Sequence, residues 1–431
     1  MGVPNILWAA LTVLAFVRVG PLLRAPWAPI LLSGSAVLMV LRQRSRPYVL
    51  QVGCGAWLAA GCAEVLPPPS AISIAAGENW QTKVNANPAG TAFHILAGRH
   101  IQQAVIPKAG DQFIGDPGAI MDGENQTSFA FSGAAANLVF KNLEIKGYTG
   151  GGQLGAINGF DGSGWVLDNL NAHDNAYFGA NLRGSFTVLG GSYHHNGQYG
   201  LAVTEATNSV IDGAELSYNN LAGAHDPLRD AGGIKVSNSD GVTMRNCYSH
   251  HNNGPGLWYD INNQNGLLEN NAVTDNTRAG ILYEISYTGI IRGNTVTNNG
   301  TADANHTGAG ILVSESADVE MYNNVLSGNS HGIIGLQTDR GSGMAGLHQI
   351  KNLSVHDNTV TQTISRRSGM LNFISSADAT AMLSTRNNHF DRNHYTITGN
   401  TLAYYAGSLT AVSKAAWQAL GQDVGSTFIG P

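Results

Sequence analysis

Asp260 and Glu284 close two similar segments, GLWYD and GILYE. Two carboxylates brought together repel, so one keeps its proton to higher pH or both share a cation. General acid–base chemistry needs that arrangement. Lys235, in GGIKVS, offers an amine nearby in the chain, and Asp230 in AHDPLRDAGG offers a third carboxylate. Trp258 lies two residues before Asp260. Whether these groups meet depends on the elements that carry them.

Those elements repeat. From about residue 138 a short alternating strand, an Asn-containing turn, a second strand, another Asn-rich turn and a Gly-led third strand recur, as in VTMRNCYSHHNNGPGLWYD and LLENNAVTDNTRAGILYE. The marker glycines are Gly179, Gly200, Gly233, Gly256, Gly280, Gly310 and Gly332, at intervals of 21, 33, 23, 24, 30 and 22 residues. A period near 22 with two longer intervals is the signature of a solenoid carrying loop insertions, since each repeat buries its apolar face only against its neighbours. Every element is strand-like and the turns are filled with Asn, Asp and Gly, which excludes a leucine-rich repeat with its helical half. Stacked Asn side chains can hydrogen-bond from coil to coil. The expected fold is all-β, a right-handed parallel β-helix with short capping helices at NWQTKVNA and SKAAWQALGQ, the latter with Trp417 and Leu420 on one face.

Side chains alternate along a strand, so residues after each marker Gly sort into two faces. The first and third positions, among them Leu257, Tyr259, Ile281 and Tyr283, are apolar and read as core. The second and fourth then face outward. Lys235, Trp258 and Leu282 share one outer column, and Arg183, Asp260 and Glu284 the other. Coils stack about 4.8 Å apart, which makes Asp260 and Glu284 direct neighbours with Lys235 on the diagonal. The insertions at 221–232 and 300–309 enter just before this strand and would wall a groove. An isolated surface acid is by default a solvated residue; Lys, Trp, Asp and Glu meeting on one face between two loops point instead to a site.

These coils resemble the pectate-lyase-like superfamily over residues 138 to about 405. The resemblance implies action on a polysaccharide, by glycoside hydrolysis, elimination or epimerisation, but it also covers tailspikes and adhesins. For hydrolysis Asp260 and Glu284 form the acid/base or acid/nucleophile pair, at a separation near the roughly 5 to 5.5 Å of retaining enzymes. For a lyase or epimerase Lys235 is the base, and Asp260 and Glu284 hold a Ca2+ that neutralises a uronate. Trp258, Arg183, His225 and His251 are the expected substrate-binding residues, with Asp230 as a further catalytic carboxylate. The rival readings are a surface-anchored carbohydrate-binding or adhesive β-helix without chemistry, and an accessory solenoid of an export complex.

His173 with His194, and His250 with His251, recur at one turn and offer adjacent imidazoles to a metal, although spaced His without carboxylate ligands is usually turn filling. No Gly-x-Ser-x-Gly and no Cys/His nucleophile arrangement occurs. Charged residues are 12% of the chain, the formal net charge is −6, and no basic run appears beyond the N-terminus. A nucleic-acid footprint is therefore missing. Cys247 reads as a small buried hydrophobe.

The N-terminus holds apolar runs at 5–17 and 26–41, each short for a membrane span. Beyond them MVLRQRSRPYVLQVGCGAWLAAGC has a basic n-region, an apolar h-region and small residues before a cleavage point, which reads as an export signal over 39–61 with translation starting at Met39; the alternative is a two-segment membrane anchor. Its LAAGC resembles the lipobox of bacterial lipoproteins, which implies a lipid on Cys62 and an exported, membrane-anchored protein, periplasmic or at the cell surface. The chain thus divides into a signal or anchor region 1–62, a Pro-stiffened linker 63–78, an N-terminal cap with irregular first coils 79–137, the β-helix 138–405 and a capping segment 406–431.

Overall fold

The computed structural model describes residues 40–43, 46–49, 67–68, 70–160, 162–300, 306–363, 367–398 and 403–430. The chain divides into two units, Met1–Leu66 and Pro67–Pro431. In the first, Val40–Gln43 pairs antiparallel with Arg46–Val49. Apart from those eight residues, the expected apolar runs, export signal and Cys62 lie outside the described residues. No helix among the described residues is long and apolar enough to cross a membrane.

The second unit is a right-handed parallel β-helix. Each coil contributes one strand to each of three sheets, as Thr243–Arg245, Tyr248–His250 and Leu257–Asp260 do in turn. In that order, sheets 1 and 2 have 13 strands each and sheet 3, the glycine-led one, has 12. Sheet 1 starts at Ile72–Ile74 and sheet 2 runs to Thr427–Ile429, so strand pairing continues into both flanks.

The sequence turns its corners with residues that tolerate φ > 0. Between sheets 1 and 2 these include Asn246 (φ 54°), Asn270 (56°) and Asn323 (54°), where the Asn side chain tolerates the left-handed conformation. After Asn270 and Asn323 the next residue is again Asn and points into the coil, while Cys247 takes that slot after Asn246. Asn271, Asn294, Asn324, Asn358 and Asn393 form a ladder in which each Nδ2 donates to the next Oδ1 at 2.9 to 3.0 Å. A second ladder at the following corner links Asn175 through Asn329, with Asn252 donating to Asn276 at 2.9 Å. The marker glycines stand against this ladder. A Cβ on Gly256 would lie 2.7 Å from the Asn276 amide nitrogen and 2.6 Å from Val273, so only glycine fits there.

Both ends are closed. The helix Trp80–Ala86 is capped by Asn79, whose side chain accepts from the Thr82 N–H, and it inserts Trp80 among Phe113, Phe131 and His100. At the far end Lys414–Ala419 buries Trp417 against Tyr404, their rings stacked 5.1 Å apart. Leu420 does not share that face; it ends the helix and is exposed. Two features are new relative to the repeat: a helix at Ser376–Ser384 and a small hairpin pairing Ser342–Gly343 with Gly346–Leu347.

Candidate functional site

Strand phase falls as the alternation requires. Leu257, Tyr259, Ile281 and Tyr283 belong to the core within the coils. Trp258, Leu282, Leu312, Ile334 and Leu336 form a separate apolar cluster on the outside of sheet 3. Asp260 pairs in register with Glu284, and Trp258 with Leu282. The two acids are outward neighbours on adjacent coils.

The outer face is not open at Trp258 and Asp260, however, and this corrects the expected groove. Trp258 is 1% exposed and Asp260 5%. The 221–231 insertion lies over them, for the Lys235 ammonium donates to the carbonyl of Arg229 at 2.8 Å. The same ammonium pairs with Asp260 Oδ2 at 2.7 Å and sits 4.0 Å above the Trp258 ring. With Lys235 over its face, Trp258 offers no platform to a sugar. Its indole N–H donates instead to Glu284 Oε2 at 3.2 Å, so it positions the acid. Asp260 Oδ1 is buried and finds no donor among the described residues.

Glu284 faces the other way, toward a cavity of about 140 Å³ whose wall includes Leu282, Leu312, Leu336, Arg278, Thr338 and Arg340. Arg340 Nη1 holds Glu284 Oε1 at 2.7 Å. Burial, followed by the charge of Asp260, pushes the Glu284 carboxyl above its usual range; Arg340 opposes this without cancelling it. Asp260 is not on the cavity wall. Glu315 is, one coil above, where φ 42° turns its side chain into the site. Its Oε1 accepts from the Thr338 N–H and hydroxyl, both at 2.7 Å, and its Oε2 accepts from the Ser314 hydroxyl at 2.6 Å. Tyr199, buried on the same outer face, has a hydroxyl without a partner among the described residues, and burial followed by Asp230, Asp260 and Glu284 raises its pKa.

The backbone is strained at this place. Ile261 (φ 65°) and Ile285 (φ 36°), the residues that follow Asp260 and Glu284, lie in the left-handed region. The equivalent corner positions carry Glu205, Asn238 and Glu315. A β-branched residue there is an outlier, and such outliers gather at functional sites.

The remaining expected residues scatter. Arg183 lies three coils below Asp260 and pairs with Glu205 at 3.3 Å. Asp230 turns toward Gln153, at 3.3 Å, rather than to Lys235. His225 packs edge-on against Tyr177 on the insertion. His251 belongs to the corner between sheets 2 and 3, at the opposite end of the strand from Asp260, and stacks on Tyr218. As for Ca2+, both carboxylates already carry a cationic side chain, and no group of three or more metal-ligating side chains gathers among the described residues. The pair as arranged does not fit the ion. Cys247 is buried and its thiol is pushed up to about 12 by that burial.

Sequence reasoning missed Glu315, Arg278, Arg340 and Tyr199. Glu315 carried a signal, since it occupies the corner slot after the two acids. Arg340 carried none, because it reaches Glu284 from 56 residues away.

The family described as "Right handed beta helix region" matches residues 155–326. No curated protein sequence matches the chain. Among solved structures, the Azotobacter vinelandii mannuronan C-5 epimerase AlgE6 A-module is similar at 14% identity and TM-score 0.57, over 81% of this chain and 93% of that one. A mannuronic acid specific family 6 polysaccharide lyase from human gut microbiota aligns at 13% and 0.53, over 76% and 86%. The family 6 alginate lyase AlyGC aligns at 12% and 0.52, over 83% of this chain and 56% of its own. At such identities the likeness is one of fold. The chain is a right-handed parallel β-helix.

Proposed function

We propose that this protein is a polysaccharide-acting enzyme whose proton donor is Glu284. The observation that carries the reading is the contrast between neighbouring carboxylates. Glu284 is pushed up by burial and by Asp260 on the coil below, while Glu315 on the coil above is held by three donors around the same cavity. Acids whose surroundings differ in this way divide the acid and base roles between them. In hydrolysis Glu284 gives its proton to the glycosidic oxygen and Glu315 takes the base or nucleophile role, with Asp260 behind them setting the field. The cavity is about 140 Å³ and has an apolar floor of Leu282, Leu312 and Leu336, which suits the face of one sugar ring.

A second reading, elimination or epimerisation of a uronan, is favoured by the cationic side chains at the site. Arg340 and Arg278 line the cavity and Lys235 lies beneath it, so a uronate carboxylate would meet positive charge. The neighbours named above are a mannuronan epimerase and lyases for mannuronic acid and alginate, which makes uronans the first substrates to try. Export and anchoring through a lipid on Cys62 belong to the same proposal and rest on the N-terminal sequence; fractionation and lipid labelling of C62A test them.

Incubation with neutral and uronic polysaccharides, reading reducing ends, the absorbance of unsaturated uronate and the C-5 configuration of the uronates by NMR, separates the chemistries, a change of configuration alone indicating epimerisation. Reducing ends alone indicate hydrolysis, and both signals together indicate elimination. E284Q is expected to abolish turnover by at least 100-fold while leaving polysaccharide retention on affinity gels intact. Retention by the wild type with no turnover on any substrate would leave the adhesive reading standing instead.

A further inference from the structure

The corner between sheets 2 and 3 carries two vicinal histidine pairs, His194–His195 and His250–His251, that the polysaccharide site does not use. In each pair the first imidazole ends a strand and the second has a left-handed backbone, φ 52° at His195 and 53° at His251. That turn folds the second ring back onto the first. The two Nδ1 atoms face each other at 2.7 Å in the first pair and 2.9 Å in the second. At the same slot on other coils the geometry brings His173 Nδ1 to Asp174 Oδ2, also 2.7 Å apart. There the contact is an ordinary hydrogen bond; with two imidazoles the contact joins two ligand atoms.

The outer nitrogens settle which lone pairs converge. His250 Nε2 lies 3.1 Å from Glu215 Oε1, and Glu215 is in turn held by the Ser192 and Ser217 hydroxyls at 2.9 and 3.0 Å. An ionised carboxylate only accepts, so Nε2 carries the hydrogen and, in the neutral ring, the Nδ1 lone pair points at His251. A carboxylate behind a histidine is the usual support of a metal ligand. His194 repeats the pattern with Nε2 against Asn171 Oδ1 at 3.0 Å. Tyr218, on the coil between, stacks on both outer rings, at 5.0 Å from His195 and 4.9 Å from His251, and fixes their planes.

We propose that His250–His251 and His194–His195 are each a two-imidazole site for a divalent transition metal, with Cu(II) as the preferred ion. Two nitrogens 2.9 Å apart, each about 2.0 to 2.1 Å from a shared ion, subtend about 90° at it. That is the cis angle of square-planar and tetragonal Cu(II) or Ni(II), and it is narrower than the tetrahedral angle of Zn(II) sites. The single hydrogen between the rings passes to Nε2 of the exposed second ring, a change of tautomer that frees both Nδ1 lone pairs without net proton release. Water fills the remaining positions, because the outer rings of His195 and His251 are exposed. The proposal is independent of the polysaccharide chemistry, which lies at the other end of the strand.

The full-length chain is titrated with Cu(II) alone and followed by electron paramagnetic resonance and calorimetry. The expected result is two equivalents per chain, each with hyperfine structure from two nitrogens, and at least 10-fold weaker binding of Zn(II). H251A is expected to remove one equivalent, H195A the other, and the double variant both, with circular dichroism and melting unchanged because both side chains are exposed. A wild-type chain without the two-nitrogen signal, or a double variant that binds as the wild type does, overturns the proposal.

Discussion

At the scale of single residues, the site is a set of charges in unequal surroundings. Raising the Glu284 pKa makes its protonated form persist to higher pH. A general acid of this kind loses activity as pH rises through its own pKa, so the alkaline limb of kcat/KM belongs to Glu284. Asp260 contributes to the shift by its charge. D260N is therefore expected to move that limb to lower pH while retaining measurable turnover; a pH–rate profile with an unmoved limb would remove Asp260 from the account. The stability consequence has the same sign. The folded protein holds the Glu284 proton more tightly than the unfolded chain, so stability falls as pH rises from the ordinary carboxylate range through the folded value. E284Q is expected to flatten that part of the stability curve.

The strained corner belongs to this scale too. Ile261 is 38% exposed and has φ 65°, so its side chain gains little burial in a conformation that disfavours it by roughly 1 to 2 kcal/mol. I261N is expected to raise stability by about 1 kcal/mol, read as a higher Tm. An unchanged or lower Tm would show that the strain is not stored there.

At the scale of elements, the asparagine ladders hold the corners together. The amide of Asn252 receives hydrogen bonds from the Asn219 N–H and side chain and donates to the Leu216 carbonyl and to Asn276. N252A leaves buried groups on two neighbouring coils unpaired, each at about 1 to 3 kcal/mol. A loss of about 3 kcal/mol or more in denaturant unfolding is expected. The 338–348 segment is a different kind of element. Arg340 ties it to Glu284, and the Tyr287 hydroxyl donates to the Gly346 carbonyl at 2.8 Å. It covers the site from a distance in sequence that no coil repeat announces.

At the scale of the molecule, a solenoid is stabilised by contacts between neighbouring coils, so its ends govern where opening starts. Trp417 stacks on Tyr404 and donates to Asp423 Oδ2 at 2.8 Å, while Asp423 also receives the last Asn of the ladder, Asn393, at 3.0 Å. W417A is expected to speed hydrogen exchange over residues 390–430 while leaving the coils around Trp258 protected. Uniform loss of protection would mean that the coils unfold as one unit.

Much of this was legible in the sequence because a solenoid repeats. The period of the marker glycines, the alternation within LWYD and ILYE and the Asn at each corner are local features, and stacking copies them from coil to coil. They determined the β-helix, the inward and outward columns and the pairing of Asp260 with Glu284. What they did not determine was the state of the outer face. Whether Trp258 meets water or Lys235, and whether Asp260 or Glu315 stands on the cavity wall, depends on where the 221–231 insertion and the Arg340 segment come down. Those segments obey no repeat, and their contacts join residues as far apart as Glu284 and Arg340. A strand's alternation fixes the direction of a side chain, whereas what lies above it is decided only when distant parts of the chain are folded over it.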